Sequence, residues 1–136
     1  MLKKNIVSLD CDGNQISRDY YFALNKAELM EMELSTSGGL EKMVQKIIDT
    51  RDGAKIVAFF KKIILKSYGE KADDGIGFLK FDDEGRPLSR KFEQTDAYSE
   101  LFYELATDAD KAAEFIKGII PKENPAIPAP PLTEVK

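Results

Sequence analysis

The sequence predicts an α+β fold that is predominantly α: an N-terminal β-hairpin, then about five helices, then a Pro-rich disordered tail. Three observations carry this. Residues 3 to 22 alternate apolar and polar side chains on either side of a turn signal, which is strand periodicity. Residues from about 25 to 120 carry apolar residues at helical spacing, and prolines crowd the residues after Pro121. The chain therefore divides into a single globular domain, residues 1–121, with the hairpin at 3–22 and the helices at about 25–120, and an extended flexible tail, residues 122–136.

In the hairpin, Ile6 and Ser8 oppose Val7 and Leu9, and Ile16, Tyr20 and Phe22 oppose Ser17, Asp19 and Tyr21. Between the strands lies Asp-Cys-Asp-Gly-Asn, residues 10–14, whose Gly and Asn tolerate positive φ and suit a tight turn. Asn25 and Glu28 form a capping box for a helix with Ala27, Met30 and Leu34 on one stripe, ended by Ser35-Thr-Ser-Gly-Gly39. Leu40, Met43, Val44, Ile47 and Ile48 predict a second helix that ends near Thr50.

The third helix, 53–68, is the most apolar segment. Successive residues turn by about 100°, so Ile56, Val57, Phe59, Phe60, Ile63 and Ile64 cover one broad arc, with Lys55, Lys62 and Lys66 opposite. Gly69 reads as the residue just past its C-terminus. The stretch GEKADDGIGFLKFDDEGRPLS that follows is rich in turn formers and predicts a long loop with a short strand or helical turn. Thr95 caps a helix carrying Tyr98, Leu101, Phe102 and Leu105. Thr107 or Asp108 caps the last one, carrying Ala112, Phe115, Ile116 and Ile119, which Pro121 ends.

Composition narrows the function classes. With 136 residues the chain has room for one core of ordinary size. No apolar run approaches the ~18 residues of a transmembrane helix, and MLKKNIVSLD lacks the long apolar core of a secretory signal, so an intracellular protein is expected. The single cysteine, Cys11, has no internal partner for a disulfide. The absence of histidine removes imidazole catalysis and Cys/His zinc sites. A net charge of −4, with lysines spread along the chain, argues against nucleic acid as a partner.

The string DCDGN could carry chemistry. A strand running into Asp-x-Asp-Gly presents the nucleophile of aspartate-based phosphatases, with Asp10 as nucleophile and Asp12 as acid/base. That fold needs later parallel strands bringing further carboxylates. Asp73-Asp74 and Asp82-Asp83 stand in loop sequence instead, and a second strand follows Asn14 where a loop and helix would be required. A calcium loop fails by count: with Asp10 in position one, positions six and twelve are Gln15 and Tyr21. A hairpin turn is the remaining reading, and no catalytic, cofactor-binding or metal-ligating residue is assigned.

The wording of the chain goes further. YFALNKAELMEMELSTSGGLEKMVQKIID, FFKKIILKSYGEKADDG and FEQTDAYSELFYELATDADKAAEFIKGIIP are similar to the tail assembly chaperones encoded by long-tailed phages and prophages of Gram-positive bacteria, and with the hairpin they cover most of residues 3–121. The resemblance implies a non-enzymatic factor, without cofactor, that binds the tape measure protein and helps recruit major tail (tube) protein during tail morphogenesis. It also implies a short, unshifted form with a frameshifted longer form of itself as partner, association with further copies, a location in the host bacterial cytoplasm, and absence from the mature virion. The alternative is a small structural tail or connector protein retained in the virion. For the partner surface, the last two helices are expected to contribute Tyr103, which lies off its helix's core stripe, and Ile120 at the chain's last helical turn beside Phe115 and Ile119.

The tail has too little apolar content to join the core. Deleting residues 125–136 is expected to leave the melting temperature within about 2 °C of the parent by calorimetry; a larger fall would place the tail in the folded body.

Overall fold

The computed structural model describes residues 1–34 and 53–121, together with Lys42, Gln45, Lys46, Asp49 and Arg51. Strands β1 (Leu2–Leu9) and β2 (Gln15–Phe22) form the expected antiparallel hairpin, in register from Leu2 opposite Phe22 to Leu9 opposite Gln15. Its inner face carries Ile6, Ser8, Tyr20 and Phe22, while Val7 and Leu9 face outwards, as the alternation predicts. Helix α1 (Lys26–Leu34) starts at a true capping box. Glu28 N–H donates to Asn25 Oδ1 at 2.7 Å, and Asn25 N–H donates to Glu28 Oε1 at 2.9 Å.

The buried side of α1 is a correction to the sequence reading. Met32 is buried and Leu29 packs on the core, while Met30 of the expected stripe is exposed. The short helix is rotated so that Glu28, beside Leu29, can meet a lysine of a later strand. The helix predicted from Leu40 to about Thr50 lies almost wholly outside the described residues.

Helix α2 (Gly53–Ser67) buries Phe59, Phe60, Ile63 and Ile64. Val57, expected on the same arc, is half exposed, because the early turns of α2 carry less of the packing than its C-terminal half. Ser67 ends the helix inside the protein, and its hydroxyl donates to the Ile63 carbonyl at 2.7 Å.

Strand β3 (Tyr68–Lys71) follows at once, with β4 (Phe78–Leu79) after it, and the sheet runs β1-β2-β3-β4 with antiparallel neighbours throughout. Gly69 is therefore a strand residue and not a helix cap. Its requirement for glycine is close approach: a Cβ there would stand 2.6 Å from the Phe78 ring and 2.8 Å from the Leu79 carbonyl oxygen. The turn-rich stretch also contains a short helix, α3 (Ser89–Glu93), which buries Phe92.

Helices α4 (Asp96–Thr107) and α5 (Ala109–Ile119) close the domain. The Thr95 hydroxyl accepts from Tyr98 N–H, so that expected cap is formed, and the Asp108 carboxylate accepts from Asp110 N–H and Lys111 N–H, which makes Asp108, of the two alternatives, the cap of α5. Tyr98 and Phe102 lie against the core as their stripe predicts. The helices thus pack on the inner face of the sheet, and aromatic rings fill the seam. Phe22 meets Phe115 and Phe92 edge-on at 5.3 and 5.8 Å, and Phe92 stacks on Tyr68 at 4.4 Å with 7° between planes.

The core makes a quantitative contrast. Phe60→Ala is expected to cost about 3 to 5 kcal/mol through lost burial and a cavity, a large share of the about 5 to 15 kcal/mol that holds a domain. Val57→Ala, on the same helix, should cost less than about 1 kcal/mol by urea unfolding. Equal losses would contradict the concentration of packing in the C-terminal half of α2.

Candidate functional site

The DCDGN loop is built by its first aspartate. Asp10 Oδ1 accepts from Asp12 N–H and Asn14 N–H, both at 2.9 Å, Asp10 N–H donates to the Asn14 carbonyl at 2.9 Å, and Gly13 takes φ +85°. The same design recurs. Asp82 Oδ1 accepts from Glu84 N–H and Arg86 N–H at 2.9 Å, Asp82 N–H donates to the Arg86 carbonyl, and Gly85 takes φ +81°.

Between β3 and β4, Ala72 N–H donates to the Gly77 carbonyl around Gly75 at φ +75°, with Asp74 Oδ1 accepting from Ile76 N–H at 2.9 Å. Asp10 and Asp82, the residues a phosphatase or metal reading would have used, therefore close turns. Hydrogen bonds from Asn14 N–H hold the Asp10 carboxyl below its ordinary value, and those from Arg86 N–H do the same for Asp82, in each case against a smaller desolvation effect. Among the described residues no group of three or more acidic or cysteine side chains is placed to hold a metal ion. Cys11 is exposed at the tip of the first loop.

Among the described residues, the most connected polar side chain is Lys80. Its Nζ donates to the Lys66 carbonyl at 2.7 Å, to the Ala23 carbonyl at 2.9 Å and to both oxygens of Glu28 at 3.1 Å. It thereby joins the end of α2, the β2–α1 link and the start of α1 to the strand ribbon. Burial lowers the pKa of this ammonium group, and the Glu28 carboxylate works against that shift. A second cross-link ties the sheet to the helices. Glu104 Oε2 of α4 lies 2.8 Å from Lys4 Nζ, in a geometry that makes a charge contact and not a directed hydrogen bond, and Leu9 N–H donates to Asp96 Oδ2 at 2.8 Å. Burial raises the Glu104 carboxyl, but Lys4 and Lys111 outweigh it and hold the pKa below its ordinary value. Burial, with Glu70 and Tyr20 adding to it, pushes the Tyr68 phenol up to about 12, so it stays protonated at neutral pH.

The four residues expected to meet a partner do not share one surface. Tyr103 is 71% exposed on α4, but Phe115 and Ile119 are buried in the core and Ile120 packs partly against it. A group of exposed apolar side chains that the sequence reading did not single out lies on the strand ribbon. Ile76, Leu79 and Phe81 are 88%, 44% and 59% exposed. The signal was present as Leu79-Lys80-Phe81, an alternating triplet framed by two Asp-rich turn motifs, but it sat in a stretch read as loop.

What these described residues offer another molecule is a set of exposed apolar side chains on a cross-braced α+β body, which is the form of a small protein-binding domain. The chain belongs to the phage tail assembly chaperone family, whose model matches residues 1–125. No curated protein and no solved structure matches it.

Two outcomes test the geometry. Lys80→Ala leaves the Glu28 carboxylate and the Ala23 and Lys66 carbonyls without their donor, so it should destabilise the domain by about 1.5 to 3 kcal/mol in chemical unfolding, whereas Lys71→Ala should have little effect. The depressed Asp10 pKa adds stability that is complete above the ordinary value of 3.8 and is lost as the pH falls through the lower folded value. The melting-temperature difference between the parent and Asp10→Asn should therefore be present at neutral pH and vanish in strong acid. A difference that persists there would mean that the carboxylate charge is not what the turn uses.

Proposed function

We propose that this protein acts as a non-enzymatic tail assembly chaperone that binds the tape measure protein and helps recruit tail tube subunits to it during morphogenesis. The family match over residues 1–125 carries the reading, because it spans the whole described body from β1 to the end of α5. The geometry is consistent with it. The Asp10 and Asp82 carboxylates are engaged in turns, Lys80 is engaged in cross-bracing, and the exposed apolar side chains form the surface a protein partner would use.

In this reading the protein works in the host cytoplasm, beside a frameshifted longer form of itself, and leaves before the particle is complete. Of the residues first expected to contact the partner, Tyr103 remains as a contributor from α4. Co-expression with the tape measure protein of the same phage should give a complex that survives affinity purification, and mass spectrometry of purified virions should find no stoichiometric peptides of this chain. Stoichiometric peptides in mature particles, without a complex in the cytoplasm, would instead identify a structural tail or connector protein.

A further inference from the structure

The exposed apolar ribbon has a position and a charge that select its partner. Leu79 lies opposite Glu70 in the β3–β4 pair, and Phe81 is two residues further on, so Glu70, Leu79 and Phe81 share one face, with Ile76 at the tip of the loop beside them. The strip is held out rigidly: Lys80, between Leu79 and Phe81, points the other way into its four oxygens.

Carboxylates bracket this strip. Residues 70–86 carry six of them against three cations, a net −3 in a chain whose total is −4. The cations are occupied elsewhere, since Lys80 is turned inwards, Arg86 pairs with Asp82 and Glu84, and Lys71 lies over the Tyr21 ring. Glu70, Asp73, Asp74 and Asp83 are exposed, and none of them is ion-paired to a cation among the described residues.

From this we infer that the Ile76, Leu79 and Phe81 strip is the docking face for an amphipathic helix whose apolar stripe is flanked by lysine or arginine. The chemistry argues against nucleic acid, an anionic membrane and an added strand. Nucleic acid and anionic membrane are repelled by the bracket of carboxylates. An extended segment adding itself as a strand needs a free edge, but from Lys80 to Asp82 the outer edge of this ribbon is closed by its own return. Leu88 N–H donates to the Lys80 carbonyl, Asp82 N–H to the Arg86 carbonyl, and Phe81 faces Pro87, which has no N–H to offer. A helix laying an apolar face across the strip needs no backbone hydrogen bond from it, and its flanking cations meet the bracket directly.

This inference deepens the proposed function and rests on it for the identity of the partner, a helical segment of the tape measure protein. The test has two probes. One is a peptide of about 20 residues, long enough for helix, built from leucine, alanine and lysine, with a second version carrying glutamate in place of lysine. The other is the tape measure protein of the same phage.

The full chain, the double variant Leu79→Ser with Phe81→Ser, the charge-reversed variant Glu70→Lys with Asp73→Lys and Asp83→Lys, and Tyr103→Ala are compared, with circular dichroism and sedimentation confirming fold and assembly state. The lysine peptide should bind the full chain and weaken as salt is raised. Both ribbon variants should lose about tenfold or more of that affinity and of tape measure capture, and the glutamate peptide should not bind.

If the tape measure protein is captured equally by the parent and both ribbon variants, the docking face lies elsewhere and the inference fails while the chaperone reading stands. If the tape measure protein binds none of them yet the lysine peptide still distinguishes parent from variants, the docking chemistry holds and the partner assignment fails. A change in sedimentation of the ribbon variants with unchanged capture assigns the strip to contact between copies of this chain and overturns the inference.

Discussion

Everything else in this fold depends on the meeting of Phe22, Phe92 and Tyr68. Phe22 comes from the last residue of β2, Tyr68 from the first of β3, and Phe92 from a helix of only five residues. Phe92 also meets Tyr20 at 5.2 Å and Tyr98 at 5.9 Å, and Phe22 meets Phe115 at 5.3 Å. One small aromatic group thus joins the hairpin, the second strand pair, α4 and α5. Edge-on and stacked rings fix mutual orientation as well as burial, so the sheet and helices are held at a defined angle rather than merely collapsed together. A short helix such as α3 has too few residues to be stable alone, and its place follows from the ring it buries.

Around that seam, polar contacts set where each element stops. The three Asp- and Gly-bearing turns, at 10–14, 72–77 and 82–86, each use a carboxylate to satisfy backbone N–H groups at a reversal of the chain. Lys80 does the opposite task for carbonyl oxygens, gathering those of Ala23 and Lys66 where a strand and a helix end. Burying an ammonium group is costly, which is why its pKa is lowered. The four oxygens around it offset that cost and fix the ribbon to the body. The outcome of this bracing is a ribbon whose apolar face is presented without being free to fold away.

The parts of this structure written in local pattern were legible in the sequence. The hairpin, its turn, the capping box at Asn25, the cap at Thr95, the stripes of α4 and α5 and the C-terminal half of the α2 stripe all follow from spacing alone. What was not legible depended on distant partners. Gly69 has the right place for a helix cap, and only its pairing with Tyr21, with the Phe78 ring close over it, shows that it stands in a strand. Met30 has the right spacing for the core, yet the pull between Glu28 and Lys80, 52 residues apart, turns α1 so that Met32 is buried instead. The division between buried and exposed apolar side chains fared worst for the same reason. Phe115 and Ile119 carry the same apolar signal whether they face a core or a partner, and Leu79 and Phe81 were hidden in a stretch that turn chemistry dominates.

The chain belongs to the tail assembly chaperone family, and its cross-braced ribbon holds Leu79 and Phe81 exposed on one face, the face proposed above for a helical partner. Hydrogen exchange on the full chain, alone and with the tape measure protein, tests this most directly. The account predicts that added protection falls on amides of residues 76–83, while the amides of β2, α2 and α5 keep their rates. Protection confined to α4 and α5, with residues 76–83 unchanged, would contradict it.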